Sequence, residues 1–83
     1  MVTPESIQQG IAAGLACERL EVVGDGQHFQ ALIVSAAFQG KSRVQRHQMV
    51  YAALGDRMRE EIHALSMRTL TPEEAASQGD SGG

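Results

Sequence analysis

Two histidines offer the chemistry for which this chain is best equipped. His63 lies in the short apolar run at 62–65, which predicts a β-strand, and His28 follows a tight Gly-Asp-Gly turn. A neutral imidazole is a good ligand for iron, zinc or copper. If both reach one surface, they form an incomplete metal site that another molecule would complete, because two histidines alone do not fill a four-coordinate zinc site. A structural role for either histidine stays open.

The other chemistry-bearing residues predict no catalytic centre. His47 lies on the apolar stripe of a predicted helix, next to Arg46, and we interpret it as structural. No nucleophile occupies a recognisable elbow, and neither an HExxH motif nor a paired-carboxylate pattern is present. The turn at 24–26 lacks the GxGxxG spacing of a phosphate loop and precedes a strand. We therefore expect that the protein is not an enzyme.

Length and composition indicate one small globular domain. The 83 residues carry a formal net charge of -3, with 42% hydrophobic and 20% charged residues. This acidic balance argues against a general affinity for nucleic acid, which needs clustered Lys and Arg. Cys17 is the single cysteine, so neither an intrachain disulfide nor a CxxC pair is available. With no long apolar run and no basic leader visible, we expect a cytoplasmic protein that does not enter a membrane.

The elements that must position the histidines are predicted in the order α-β-β-α-α-β. We expect a first helix from Thr3, strands at 20–23 and 29–35, a helix at 43–54 with a short helical turn near 56–60, a strand at 62–69 and a last short helix from Pro72. The Asp-Gly turn predicts an antiparallel hairpin. The third strand returns after the helical segment and can pair in parallel with one strand of that hairpin. The pattern predicts a two-layer α+β sandwich with a three-stranded mixed sheet.

Further expectations concern the helices and the chain end. Apolar residues of the second helix recur at steps of three and four, which predicts one core-facing stripe of Val44, His47, Tyr51, Leu54 and Met58. In the first helix, Gly10 and Gly14 would permit close packing against a sheet. The domain is expected to span residues 1–76, followed by a polar, glycine-rich tail at 77–83 that is predicted to be disordered.

A cluster of basic residues stands at the start of the second helix. Lys41, Arg43 and Arg46 follow one another at short intervals. They are candidate contacts for an acidic partner or for nucleic acid, and a solvated helix start is the alternative. The predicted helix at 43–54, the break and the short helical turn near 56–60 also mimic a helix-turn-helix. The turn near 56–60 is, however, too short to read a major groove.

The chain resembles the BolA family, and within it the short bacterial IbaG-like subgroup. The match is collinear over roughly residues 5–74. It is carried by GDGQHF at 24–29, the pattern FxGxSxVxRHxxVY at 38–51, IHAL at 62–65 and TPEE at 71–74. The resemblance implies a fold related to the class II KH topology, in agreement with the element order above.

The resemblance also implies a partner and a cofactor. Family members pair with monothiol glutaredoxins of the CGFS type and share a bridging 2Fe-2S cluster. The glutaredoxin side provides a cysteine thiolate and a bound glutathione, and the BolA side provides the histidine that here is His63. Many members add a second ligand from the loop between the first two strands. That loop is short in this chain, and His28 is the candidate for the second ligand.

The function that the resemblance implies is iron-sulfur cluster trafficking or iron and stress sensing. No cofactor is expected in the isolated chain, which we expect to be a monomer or a weak homodimer. One alternative is a DNA-binding transcriptional regulator of stress response or morphology, in which Arg43 and Arg46 would contact DNA weakly. Another is a simple interaction module whose histidines are only structural.

Overall fold

The predicted order of elements is confirmed. The computed structural model describes residues 3–25, 27–61 and 64–82, and the side chains of 56–61, 64 and 78–82 are outside that description. The elements are α1 (Pro4–Gly14), β1 (Arg19–Gly24), β2 (His28–Val34), a 3₁₀ turn (Ala36–Phe38), α2 (Arg43–Glu61), β3 (Ala64–Leu70) and α3 (Pro72–Gly82). Helix α2 contains both predicted helical pieces, which meet at Gly55, where φ is 83°. Glycine suits this position because left-handed backbone angles strain other residues.

The three strands form one mixed sheet in the order β1-β2-β3. Strands β1 and β2 are antiparallel, with Gly24 opposite Phe29 beside the turn, which confirms the predicted hairpin. Strand β3 runs parallel to β2, with Ala64 opposite His28 at one end and Leu70 opposite Val34 at the other. Helix α2 supplies the crossover that a parallel connection requires. Strand β2 is therefore central.

The core lies between one face of the sheet and the helices. Strand β2 alternates as a half-covered strand should, with Phe29 and Ile33 buried while Gln30 is exposed. Against that face pack apolar side chains from the helices and the 3₁₀ turn, namely Ile7, Ile11, Phe38, Val50 and Leu54. On the opposite face Val23 is 61% exposed. The predicted two-layer α+β sandwich is confirmed.

The predicted stripe on α2 is wrong at its first member. Val44 is 65% exposed, whereas Val50 is fully buried and Leu54 nearly so. In an ideal helix Val44 lies about 120° around the axis from Val50, so the two cannot share one buried face. The residues of α2 that face the rest of the protein include Arg46, Val50 and Leu54, at steps of four. Because Arg46 is charged, a pattern based on apolar residues does not include it.

Gly14 serves a helix–helix contact instead of the predicted helix–sheet contact. A Cβ at this position would lie 2.8 Å from the Cα of Ala53 in α2. The missing side chain lets α1 and α2 approach closely, and both helices then cover the same face of the sheet.

Each helix begins with a side chain that caps its free backbone N–H groups. Thr3 and Ser6 form a capping box at α1, and Ser42 with Gln45 forms one at α2. At α3 the Thr71 Oγ1 accepts from the Glu74 N–H (3.1 Å), and the Glu74 carboxylate accepts from the Thr71 N–H (3.0 Å).

Helix α3 continues to Gly82, beyond the point at which the polar tail of residues 77–83 is expected to begin. Disorder of that tail in solution stays a prediction. No helix in the described part of the chain is both long and apolar enough to cross a membrane.

Candidate functional site

The β1–β2 turn fixes the start of the strand that carries His28. The Asp25 carboxylate accepts hydrogen bonds from the backbone N–H groups of His28 and Gln27, both at 2.9 Å. The Asp25 N–H donates to the His28 carbonyl at 3.2 Å. These N–H donors, with His28 first, hold the pKa of Asp25 below its usual range, because they stabilise the carboxylate. Asp25 therefore anchors the backbone of His28 at the start of β2.

His28 is the first residue of β2 and is exposed. Its neighbour Phe29 is only 2% exposed and belongs to the core. Since successive side chains of a strand point to opposite faces, the buried Phe29 keeps His28 on the solvent side. An imidazole in this position is accessible to a ligand or to a partner protein.

His63 and Ile62 lie outside the described residues. What the structure describes is the residue that follows His63: Ala64 begins β3, and its Cα pairs with that of His28 across the parallel β2–β3 ladder. Within 3–25, 27–61 and 64–82, no group of three or more His, Cys, Asp or Glu side chains gathers closely enough to hold a metal ion.

His47 belongs to a different part of the molecule. It is half-buried on α2 and lines a groove together with Leu70, at the end of β3 opposite to Ala64. The six register steps from Ala64 to Leu70 correspond to roughly 20 Å along a strand. The structure therefore does not bring His47 and His28 to one site.

The groove beside His47 is rich in basic side chains, and we call it the basic groove. It lies between the start of α2, the second half of β3 and the start of α3, with a volume of about 620 Å³. Its charged or titratable lining residues are Lys41, Arg43, Arg46, His47, Arg68 and Glu74. Lys41, Arg43 and Arg68 are exposed. The structure thus brings Lys41 and Arg43 together as expected and adds Arg68, which no sequence pattern indicates because it is the single charged residue in the described part of its strand.

Arg46 has internal partners, unlike its neighbours in the predicted basic cluster. Its Nη1 donates to the Glu74 carboxylate at 2.8 Å and to the Thr69 carbonyl at 3.1 Å, and the side chain is 13% exposed. Its Nε donates to the Lys41 carbonyl at 2.9 Å, and the guanidinium lies 5.8 Å from the centre of the Phe38 ring. Arg46 therefore joins α2, β3 and α3.

The same ion pair sets the charge state of Glu74. The hydrogen bond from Arg46, followed by that from the Thr71 N–H, lowers the pKa of Glu74 below its usual range.

Elsewhere, burial raises the pKa of the Cys17 thiol, whose Sγ donates to the Leu15 carbonyl at 3.3 Å. Cys17 therefore lacks the lowered pKa of a reactive cysteine.

Comparisons with known proteins agree with the fold and with the motifs. The family model described as BolA-like protein matches residues 7–74. The acid stress protein IbaG of Escherichia coli K12 is 39% identical over 71 residues, which cover 84% of each chain. The DNA-binding transcriptional regulator BolA of Haemophilus influenzae is 42% identical over 57 residues; these span 69% of this chain but 55% of that protein.

A solved structure extends the agreement to three dimensions. A bolA protein homologue from Coxiella burnetii is 44% identical, with a TM-score of 0.80 over 92% of this chain and 99% of the homologue. Fold, motifs and relatives together define a BolA-like α+β domain. The chain belongs to the BolA family, and IbaG is among its close relatives.

Proposed function

We propose that this protein is a cytoplasmic, non-enzymatic accessory protein that pairs with a monothiol glutaredoxin of the CGFS type and shares a bridging 2Fe-2S cluster with it. Its role would be iron-sulfur cluster trafficking or iron and stress sensing. His63 is the proposed principal ligand, and His28 is the proposed second ligand. Family membership and the IHAL motif at 62–65 support the proposal.

The observation that carries the proposal is the pairing of β2 with β3. His28 is exposed and stands opposite Ala64, the residue after His63 in the sequence. Paired strands lie about 4.8 Å apart, so the backbone of His28 adjoins the beginning of the strand that follows His63. His28 belongs to β2, and its backbone is held with less freedom than that of a ligand on a loop, because hydrogen bonds to the neighbouring strands fix it.

Imidazole ligands suit a transferable cluster. Two histidines would fill two of the four terminal ligand positions of a 2Fe-2S cluster and leave the other two to the thiolates of the partner side, so binding depends on the glutaredoxin and is reversible when the partner leaves. Imidazole in place of thiolate raises the reduction potential of a 2Fe-2S centre, as in Rieske centres. The residues of this chain would therefore hold one side of the cluster and make it easier to reduce.

The test is a titration of the protein into a cluster-loaded CGFS glutaredoxin with glutathione, followed by visible circular dichroism. Wild type is compared with His63→Ala and His28→Ala. His47→Ala is the matched control, because it removes a histidine of α2 that lines the basic groove and not the start of β2. We expect a new spectrum with wild type and with His47→Ala, and its loss with His63→Ala; loss with His28→Ala would assign the second ligand.

An unchanged spectrum on addition of wild type would contradict the proposal. Far-ultraviolet circular dichroism of each variant separates loss of a ligand from loss of the fold. A spectrum that survives in both His63→Ala and His28→Ala would leave the two histidines with structural roles and favour a simple interaction module.

The alternative function is a DNA-binding transcriptional regulator, the function that the name of the Haemophilus influenzae relative describes. The exposed cations Lys41 and Arg43 of the basic groove favour it. The net charge of -3 opposes it, because nucleic-acid affinity grows with the number of phosphates that a protein neutralises. The accessory function is therefore the one we prefer.

A further inference from the structure

We propose that the basic groove is a docking site for an acidic, extended segment of a partner protein. The groove is lined by the second half of β3, whereas His28, one of the proposed cluster ligands, pairs with Ala64 at the first residue of that strand. The proposal concerns recognition of carboxylates and does not depend on whether a cluster is bound.

The first argument is the uneven distribution of charge. Of the five Lys and Arg residues whose side chains the structure describes, four line the basic groove, together with one of the six described Asp and Glu residues. That one acidic residue, Glu74, is already paired with Arg46. The groove is thus strongly positive on a protein whose formal net charge is -3. Such a patch attracts and orients a negatively charged partner.

The second argument is that the groove is preorganised. Arg46 is tied to Glu74 and to the Thr69 carbonyl, so the base of the groove is held by α2, β3 and α3 together. On its rim, Lys41 and Arg43 flank the capped start of α2 and are exposed. Among the residues that the structure describes, neither of these two side chains forms a salt bridge. An ammonium and a guanidinium are therefore presented on a fixed frame, and a guanidinium binds a carboxylate through two parallel hydrogen bonds.

The third argument is that the groove also offers apolar surface. Met67 and Leu70 contribute to its lining, and they belong to β3, which lies at the edge of the sheet. An extended segment that alternates acidic and apolar residues presents carboxylates on one side and apolar side chains on the other. It would meet the cations and the apolar lining at the same time.

Charge complementarity favours an acidic protein segment over DNA. A duplex carries one phosphate per about 1.7 Å of axis on both strands, and tight binding requires many neutralised phosphates. Among the side chains that the structure describes, one basic and five acidic residues lie outside the basic groove, so a long polyanion that extends past the groove would meet repulsion. A short acidic segment fits within the groove and avoids that repulsion.

The test measures fluorescence polarisation of a short fluorescein-labelled peptide of alternating Glu and Val. A matched peptide with Gln in place of Glu carries no charge. The variants are Lys41→Gln and Arg43→Gln, with Arg19→Gln as the matched control. Arg19 is an exposed arginine on β1, paired with Glu21, and its replacement changes the net charge equally.

We expect the acidic peptide to bind wild type and the Gln peptide to bind far more weakly. Lys41→Gln and Arg43→Gln should each weaken binding of the acidic peptide about fivefold, the size of one exposed ion pair. Arg19→Gln should leave the affinity within about twofold, since any remaining effect is the long-range change of net charge. The acidic peptide should bind His28→Ala as tightly as wild type, because His28 does not line the groove, and this result separates the proposal from the proposed function.

Three results would overturn the proposal. Equal binding of the Gln peptide would show that charge is not recognised, and an equal loss in Arg19→Gln would reduce the effect to net charge. Displacement of the acidic peptide by a short DNA duplex at lower concentration than by unlabelled acidic peptide would make the groove a nucleic-acid site.

Discussion

Gly24 is the residue that most tightly constrains the hairpin end at which His28 stands. A Cβ at this position would lie 2.5 Å from the Cδ1 of Phe29 and 2.7 Å from the carbonyl oxygen of His28. Real side chains do not tolerate such distances, so either the Phe29 ring or the β1–β2 turn would have to move. The first glycine of the Gly-Asp-Gly turn, Gly24, thus also leaves space for the buried ring of Phe29.

Replacing Gly24 with alanine should destabilise the protein by about 2 kcal/mol, the usual cost of overpacking a well-packed core. Gly40→Ala is the comparison: Gly40 has a left-handed φ of 77° but no atom within 4 Å of its would-be Cβ. It should cost about 1 kcal/mol from backbone strain alone. Urea unfolding of both variants measures the loss in free energy of unfolding. A smaller loss of that free energy for Gly24→Ala than for Gly40→Ala would contradict this account.

At the scale of elements, Arg46 joins parts of the chain that no local pattern connects. Arg46 and Glu74 are 28 residues apart, and their ion pair links the start of α2 to the start of α3. The sequence predicted the start of the last helix at Pro72, because that signal is local. It placed Arg46 among surface cations, since nothing within a few residues of Arg46 reveals its distant partner.

Arg46→Leu should therefore destabilise the fold by on the order of 2 kcal/mol, because the Thr69 and Lys41 carbonyls lose a charged donor. Amide hydrogen exchange in α3 should increase more than exchange in α1, since α3 loses its tie to α2. Arg43→Leu removes an exposed arginine three residues earlier and should leave both measurements close to wild type. An equal increase in amide exchange in α1 and α3 of Arg46→Leu would contradict a specific role of Arg46 in anchoring α3.

The pH dependence of stability should carry the signature of Glu74. Its pKa is lowered in the folded state by Arg46 and by the Thr71 N–H. A lowered folded pKa means that the stabilisation is complete above the ordinary glutamate value, about 4.3, and is lost as the pH falls through the folded pKa. Glu74→Gln should thus be less stable than wild type at neutral pH, and the difference should shrink on acidification below that value.

Thermal unfolding of both proteins over a pH series measures this effect. Glu73→Gln is the matched control because Glu73 is exposed in the same first turn of α3. The difference in stability between Glu73→Gln and wild type should be small at every pH of the series. A difference for Glu74→Gln that stays constant or grows on acidification would refute the assignment of this pH dependence to Glu74.

For the whole molecule, the topology could be predicted from the sequence, whereas the sites could be predicted only in part. An Asp-Gly turn between two apolar runs specifies a hairpin, and a helical stretch before the third run specifies a parallel return. The pairing of His28 with Ala64 is a matter of register between distant strands, which no local motif encodes. Arg68 joins Lys41 and Arg43 for the same reason: β3 carries it to the groove by parallel pairing with β2.

The position of β3 at the edge of the sheet has a consequence for aggregation. An edge strand exposes backbone N–H and C=O groups that can template the addition of a strand from another molecule, and proteins suppress this with charges at the edge. Here Arg46 occupies the Thr69 carbonyl, and Arg68 brings a positive charge to β3. Two copies of the chain that approached through this edge would bring their cations together. The cations that attract an acidic segment thus oppose the growth of the sheet from one molecule into the next.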